Sequence, residues 1–284
     1  MSDRTKGFLF ALLAATFYGM IPILGKKFVT IFSPLFAAVV VTIVADIYLI
    51  TIAIIRHELF KNIIKKSARW VILLGFFAAL GSYFSFVGLT FGKASAAGFF
   101  FQFEAFFAAF WAFVFLREKL SRYQIMGLLL MLIGAGVFSS PLTINLGNLF
   151  FLSAAFAWGL NSVITRSKVR ELSPFFLAVG RNTFSAIFLF PVAYRYIEPN
   201  ISLLTPTNAF FFLLYGAVIA GFLLSSYTAL KFIKAGEATS FQLISPLITL
   251  VVAFIILGER FTPIQLIGGV LVLTGLYLIV KFKR

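Results

Sequence analysis

The chain has 284 residues, of which 61% are hydrophobic and 12% charged, and its mean hydropathy is +1.05. Soluble domains are about 45–50% apolar and about 25% charged, which excludes a water-soluble enzyme, a disordered chain and a nucleic-acid-binding protein together. The formal charge of +15 sits in short gaps between apolar runs, where Lys and Arg act as topology signals in a membrane protein. With no cysteine, and one histidine, His57, in the charged stretch Arg56–Arg69, disulfides, thiolate metal sites and histidine-based zinc or triad chemistry are excluded. No cofactor or metal is expected.

A helix needs about 20 apolar residues to cross the hydrocarbon core. Reading between charge clusters and turn signals predicts ten spans, at 7–27, 34–55, 70–91, 94–116, 122–140, 147–166, 174–194, 207–230, 235–257 and 263–281. The first runs on without the small-residue cleavage motif of a signal peptide. Ser33-Pro34, Ser173-Pro174 and Thr262-Pro263 each pair an N-cap hydroxyl with a proline at the first helical position, and Thr205-Pro206-Thr207-Asn208 marks another start. With the N-terminus in the cytoplasm, 18 Lys/Arg fall on the cytoplasmic side. Five fall opposite, namely Lys26, Lys27, Lys93, Arg195 and Arg260, and Arg181 lies inside a span. The expectation is a multi-pass protein of a prokaryotic plasma (inner) membrane with both termini cytoplasmic.

The chain repeats itself. At a shift of 140, residues 7–39 match 147–179 with 13 identities in 33 pairs, GFLFALLAATFYG lying over GNLFFLSAAFAWG. At a shift of 141, LREKLSRYQIMGLLLMLIG (116–134) lies over LGERFTPIQLIGGVLVLTG (257–275), pairing Glu118 with Glu259, Gln124 with Gln265, Gly127 with Gly268 and Gly134 with Gly275. Each half, 1–142 and 143–284, holds five spans. An odd number inverts the second half relative to the first, and inverted repeats are an architecture of secondary transporters with a binding site near the midplane.

Two five-span halves, each ending in Leu-x-Glu-[Lys/Arg]-[Leu/Phe]-[Ser/Thr]-x-x-Gln-x-x-Gly, resemble the drug/metabolite transporter superfamily, and within it the EamA-type exporters. The resemblance covers essentially the whole chain. It implies an all-α membrane fold in which spans 5 and 10 are peripheral and the other eight surround a central cavity, with export of amino acids or other small metabolites by alternating access. One departure stands out. Span 9 carries Ser245-Pro246, while the matching pair in span 4 is Glu104-Ala105.

Three ionisable residues lie well inside spans: Asp46, Glu104 and Arg181. Each costs about 2.5–3.5 kcal/mol at a helix centre on insertion scales, so each is expected to face a cavity or a partner. Glu104, in the aromatic run AGFFFQFEAFFAAFW beside Gln102, can trade a proton for substrate or bind an amine. Arg181, followed by Asn182 and with Ser185 on the same face, needs an anion: Glu104, Asp46 or a substrate carboxylate. Asp46, with Thr42 one turn earlier, has Ala186 as its repeat equivalent. Glu104 and Arg181 across one cavity can hold the two ends of a zwitterion and neutralise each other when empty.

Polar stripes at helical spacing mark a wet interior: Gln242, Ser245 and Thr249 in span 9, Trp158, Asn161, Ser162 and Thr165 in span 6, and Tyr18 with Ile21 and Pro22 in span 1. Gly81, Ser85, Gly88 and Gly92 in span 3, with counterparts Gly221 and Ser225 in span 8, and the Gly127/Gly134 and Gly268/Gly275 pairs read as close-packing faces. Pro22, Pro191 and Pro246 are candidate kinks. The function expected is a secondary exporter of amino acids or similar metabolites, with protons as a candidate coupling ion and lipids as surroundings. A lipophilic-cation/proton antiporter and a lipid flippase are the alternatives. An intramembrane enzyme is excluded by the absence of His-Glu-x-x-His and of a second intramembrane aspartate.

Overall fold

The computed structural model describes residues 2–57, 65–117, 121–139, 145–168, 174–233 and 235–281. The first half comprises α1 (Asp3–Val29), α2 (Pro34–Ile55), α3 (Lys65–Phe91), α4 (Ala94–Phe100), α5 (Phe103–Leu116) and α6 (Arg122–Phe138). The second comprises α7 (Leu146–Lys168), α8 (Pro174–Ala193), a 3-10 turn at Tyr194–Tyr196 leading into the short α9 (Ile197–Ile201), α10 (Pro206–Phe232), α11 (Ala235–Gln242), α12 (Ser245–Leu257) and α13 (Pro263–Lys281). Eight stretches are long and apolar enough to cross a membrane, and α6 and α12 are shorter apolar helices. The ten spans and two inverted halves predicted from the sequence are the architecture of the molecule.

The helices are apolar on both faces, and size decides what is buried. Small side chains such as Ala11, Ala14 and Ala15 of α1 are buried, while Leu9, Leu12 and Leu13 are exposed on its outer face. Ile43, Ile47 and Ile54 do the same on α2. Lipid is as apolar as leucine, so helix association depends on close approach of small residues.

The glycine faces are used, but against other partners than their own counterparts. A Cβ on Gly81 would fall 2.2 Å from the Trp158 indole nitrogen, and one on Gly88 would meet Phe151, so α3 leans on α7. Gly221 faces Phe17 of α1. The α6–α13 contact is reciprocal: Gly127 abuts the Gly275 carbonyl, Gly275 the Gly127 carbonyl, and Gly134 and Gly268 each other's carbonyls. The registers 127/275 and 134/268 are those of an antiparallel pair lying across the axis that relates the halves.

Spans 4 and 9 are not the continuous helices expected at 94–116 and 235–257. Each breaks near its middle, between α4 and α5 at Phe101-Gln102 and between α11 and α12 at Leu243-Ile244. Pro246 explains the second break, because it sits in the first turn of α12, where its missing N–H costs nothing. The first break has no proline. It is held from outside: the Gln102 amide donates to Ser245 Oγ (3.1 Å) and to the Gly98 carbonyl (3.3 Å). Pro22 and Pro191, by contrast, lie inside α1 and α8, which continue through them.

Helix starts follow the expected punctuation with one exception. Thr205 accepts from the Asn208 N–H (3.2 Å) and Thr262 from the Gln265 N–H (3.3 Å). Ser33 does not cap α2 through its side chain; instead its Oγ and N–H bond the Asn200 amide at 2.9 and 2.8 Å. Ser173 and Glu118 lie outside the described residues. The Ser/Thr-x-x-Gln element of the repeated motif is a capping box: Ser121 with Gln124, and Thr262 with Gln265, each exchange side-chain and backbone bonds.

Candidate functional site

A cavity of about 230 Å³ opens between the two halves. Following the chain back and forth places the starts of α1, α3, α6, α8 and α11 and the ends of α2, α5, α7, α10 and α13 at one end of the molecule, with Arg4, Arg56, Arg69, Arg122, Lys231 and Lys281 among the described residues there. Ala11 of α1, Ala108 of α5, Thr165 of α7, Ala229 of α10 and Ala238 of α11 line the cavity, so it runs from the midplane to that basic end.

The far end is shut. Phe28 stacks on Phe212 at 4.1 Å between ring centroids, and Phe32 packs on both at 6.0 and 5.1 Å. The turn joining α3 to α4 is clamped by opposite charges. Lys26 Nζ donates to the Leu89 and Gly92 carbonyls at 2.7 and 2.8 Å, at the C-terminal end of α3. The Glu259 carboxylate accepts from the Ala94 and Ser95 N–H groups at 2.8 and 3.1 Å and from the Ser95 hydroxyl. Each charge sits at the helix end of opposite partial charge.

Glu104, in the first turn of α5 just past the break, lies on the cavity wall. It accepts a hydrogen bond from the Ser162 hydroxyl of α7, and the Tyr18 hydroxyl of α1 reaches it at 3.5 Å. Arg181, Asn182, Trp158, Asn161, Gln102, Gln242 and Tyr18 share the same cavity. Arg181 makes no ion pair within 4.0 Å of Glu104 or Asp46, contrary to the mutual neutralisation expected of an empty site. Its buried Nε has no hydrogen-bond partner. Ser226 Oγ on α10 is likewise buried and unpartnered on the cavity wall.

The remaining candidates divide. Asn161 donates to the Leu74 carbonyl (2.7 Å) and Asn182 to the Thr42 carbonyl (2.9 Å), so each spends at least one N–H on tying helices together. Ser245 and Thr249 do not line the cavity. Ser245 donates to the Gln242 carbonyl and accepts from Gln102, and Thr249 lies 2.7 Å from the Gly19 carbonyl. Thr165 lines the cavity and Pro22 does not; Asp46 is off the wall, bonded to Thr183. Sequence reasoning missed Ser82, Ser226 and Tyr227, because hydroxyls spaced along a small-residue face look the same whether they meet a helix or water.

The aromatic part of the wall is interlocked: Tyr18 stacks on Phe222 at 4.8 Å, and Trp158 meets Phe101 edge-on at 4.9 Å. Among the described residues no group of three or more His, Cys, Asp or Glu is placed to hold a metal.

Known proteins resemble this chain over most of its length. An uncharacterized transporter of Clostridium kluyveri is 26% identical over 284 residues, covering 95% of this chain and 91% of its own. A probable amino-acid metabolite efflux pump of Salmonella typhimurium is 28% identical over 219 residues, covering 69% of this chain and 70% of its own. A solved crystal structure, 14% identical, superposes with a TM-score of 0.68 over 99% of both chains and shares the fold. The EamA-like transporter family matches twice, over residues 5–140 and 145–281, once for each five-span half. The chain therefore belongs to the EamA-like transporter family.

Proposed function

We propose that this transporter exports amino acids or similar small zwitterionic metabolites by alternating access, loading them from a cytoplasmic basic end. The observation that carries the reading is the pairing of charges on one cavity wall: a carboxylate, Glu104, and a guanidinium, Arg181, whose Nε is buried without a partner. An unpartnered buried donor is costly, and a substrate carboxylate relieves it while the substrate amine meets Glu104. The printed name of the Salmonella typhimurium relative supports the same substrate class.

The excess of Lys and Arg at the open end supports a cytoplasmic assignment for that end. The aromatic wall also suits lipophilic cations, but Arg181 on that wall repels them. Thermal stability of the purified protein against amino acids and lipophilic cations, at pH 6 and pH 8, separates the two. A ligand at 100 times its Kd stabilises by about 2.7 kcal/mol. Stabilisation by amino acids, lost in Arg181→Ala and in Glu104→Gln, is expected. Stabilisation by cations alone, strongest at pH 8 and lost only in Glu104→Gln, overturns the proposal in favour of a drug/proton antiporter.

A further inference from the structure

Asp46 sits mid-way along α2, 8% exposed, in a span that carries no other charge. Its contacts are neutral. Thr183 Oγ of α8 lies 3.0 Å from one carboxyl oxygen and 2.9 Å from the other, and the Asn182 amide is hydrogen-bonded to the same group. The elements packed against α2 bring Arg181 on α8, Tyr215 and Tyr227 on α10, Tyr83 on α3 and Tyr18 on α1, with lysines and arginines at their ends. None of these is hydrogen-bonded or ion-paired to Asp46.

A bare carboxylate fits this setting badly. The Thr183 hydroxyl and the Asn182 amide supply two neutral donors, whereas a carboxylate offers about four acceptor sites. Burying it without a countercharge is strongly unfavourable. A carboxylic acid fits well: it donates its own O–H to Thr183 Oγ, and that hydroxyl donates back to the second carboxyl oxygen. The two near-equal distances accommodate such a cyclic pair. Intramembrane acids without ionic partners are where transporters carry protons.

We propose that Asp46 is a proton-binding site, separate from the cavity carboxylate Glu104, whose occupancy sets the contact between α2 and α8 and so which end of the protein is open. These two helices are repeat counterparts, and Asn182 reaches the carbonyl of Thr42, its own equivalent at the shift of 140. Thr42, one turn before Asp46, and Asn182, which contacts Asp46 from α8, both line the cavity, which gives the proton a route to water. The counterpart of Asp46 is Ala186, so the device exists once per molecule.

The sign follows from linkage. On this proposal the carboxyl is more fully hydrated when the far end is open, so the arrangement open at the basic end, which supplies no counter-cation, binds the proton more tightly. A proton therefore favours opening at the basic end. The inference rests on alternation between two arrangements and is independent of which substrate is carried.

The chain has no cysteine, so nitroxide labels on cysteines introduced at the exposed far-end residues Phe91 and Leu203 report the far-end distance directly. In the unmodified background, the short-distance population is expected to grow from pH 8.5 to pH 5.5, by up to tenfold per unit, the limit for one proton. Asp46→Asn should hold the short distance at both pH values. Asp46→Glu should restore a titration, and Thr183→Val should move its midpoint while Thr183→Ser does not. Glu104→Gln should leave the Asp46 step in place. The proposal is overturned by a far-end distance that ignores pH, by Asp46→Asn titrating as the parent does, by loss of the step in Glu104→Gln, or by sodium replacing protons as the agent. Failure of the ligand screen alone leaves this readout unaffected, so the two readings fail separately.

Discussion

At the residue scale, Trp158 is held where it is by an absence. The Gly81 Cα leaves room that any Cβ would fill, 2.2 Å from the indole nitrogen. Gly81→Ala is expected to push the ring toward the cavity, destabilise the protein by about 1–3 kcal/mol as overpacking does, and weaken ligand-induced stabilisation in the thermal assay. A smaller effect of opposite sign is expected at Arg117. It ends α5 in the left-handed region at φ 53, where its repeat equivalent Gly258 ends α12 at φ 65. A non-glycine residue there costs about 1–2 kcal/mol, so Arg117→Gly should raise the melting temperature, and an unchanged or lower one refutes the strain. Charged residues in apolar runs were legible as turned away from lipid; Glu104 and Arg181 lie on the cavity wall and Asp46 does not. Ser245 and Thr249 were misread, since the stripe they form with Gln242 is cut by the helix break. Beyond that break the two hydroxyls bond to Gln102, to Gly19 and to their own chain.

At the element scale, the repeated motif acquires a physical meaning that its spacing only partly announced. Its Ser/Thr and Gln are capping boxes that start α6 and α13, and its glycines are the crossing points of those two helices. Ser121→Ala and Thr262→Ala should each cost about 0.5–2 kcal/mol in thermal or denaturant unfolding, with no change in ligand response. Gly134→Val drives a branched side chain into the Gly268 carbonyl. It should separate α6 from α13 and destabilise the protein by more than the cap mutations do. Helix ends were readable to within a few residues from charge gaps and prolines. The α4–α5 break was not, because a break without proline or glycine at the bend is a property of tertiary contacts and leaves no local mark in the chain.

At the scale of the whole molecule, an open basic end and a shut far end are, on the alternating-access function proposed above, one of two arrangements. The motif glutamate of the second half closes the far end by capping a helix of the first, so the halves hold each other shut across the chain's long axis. A charge-assisted hydrogen bond contributes about 1.5–3 kcal/mol. Glu259→Gln should therefore raise the long-distance population of the Phe91/Leu203 label pair at fixed pH by roughly tenfold, given that free energy. An unchanged distance distribution would show that the aromatic plug of Phe28, Phe32 and Phe212 closes this end unaided.

The two bends carry a consequence for the energy landscape. Pro246, in the first turn of α12, builds a preference for the α11–α12 knee into the chain itself. The α4–α5 knee persists only while Gln102 keeps its hold on Ser245, and nothing in Phe101-Gln102 forbids a straight helix. A molecule built by duplication and inversion thus holds its two knees by different means, one through the chain itself and one through a contact between the halves.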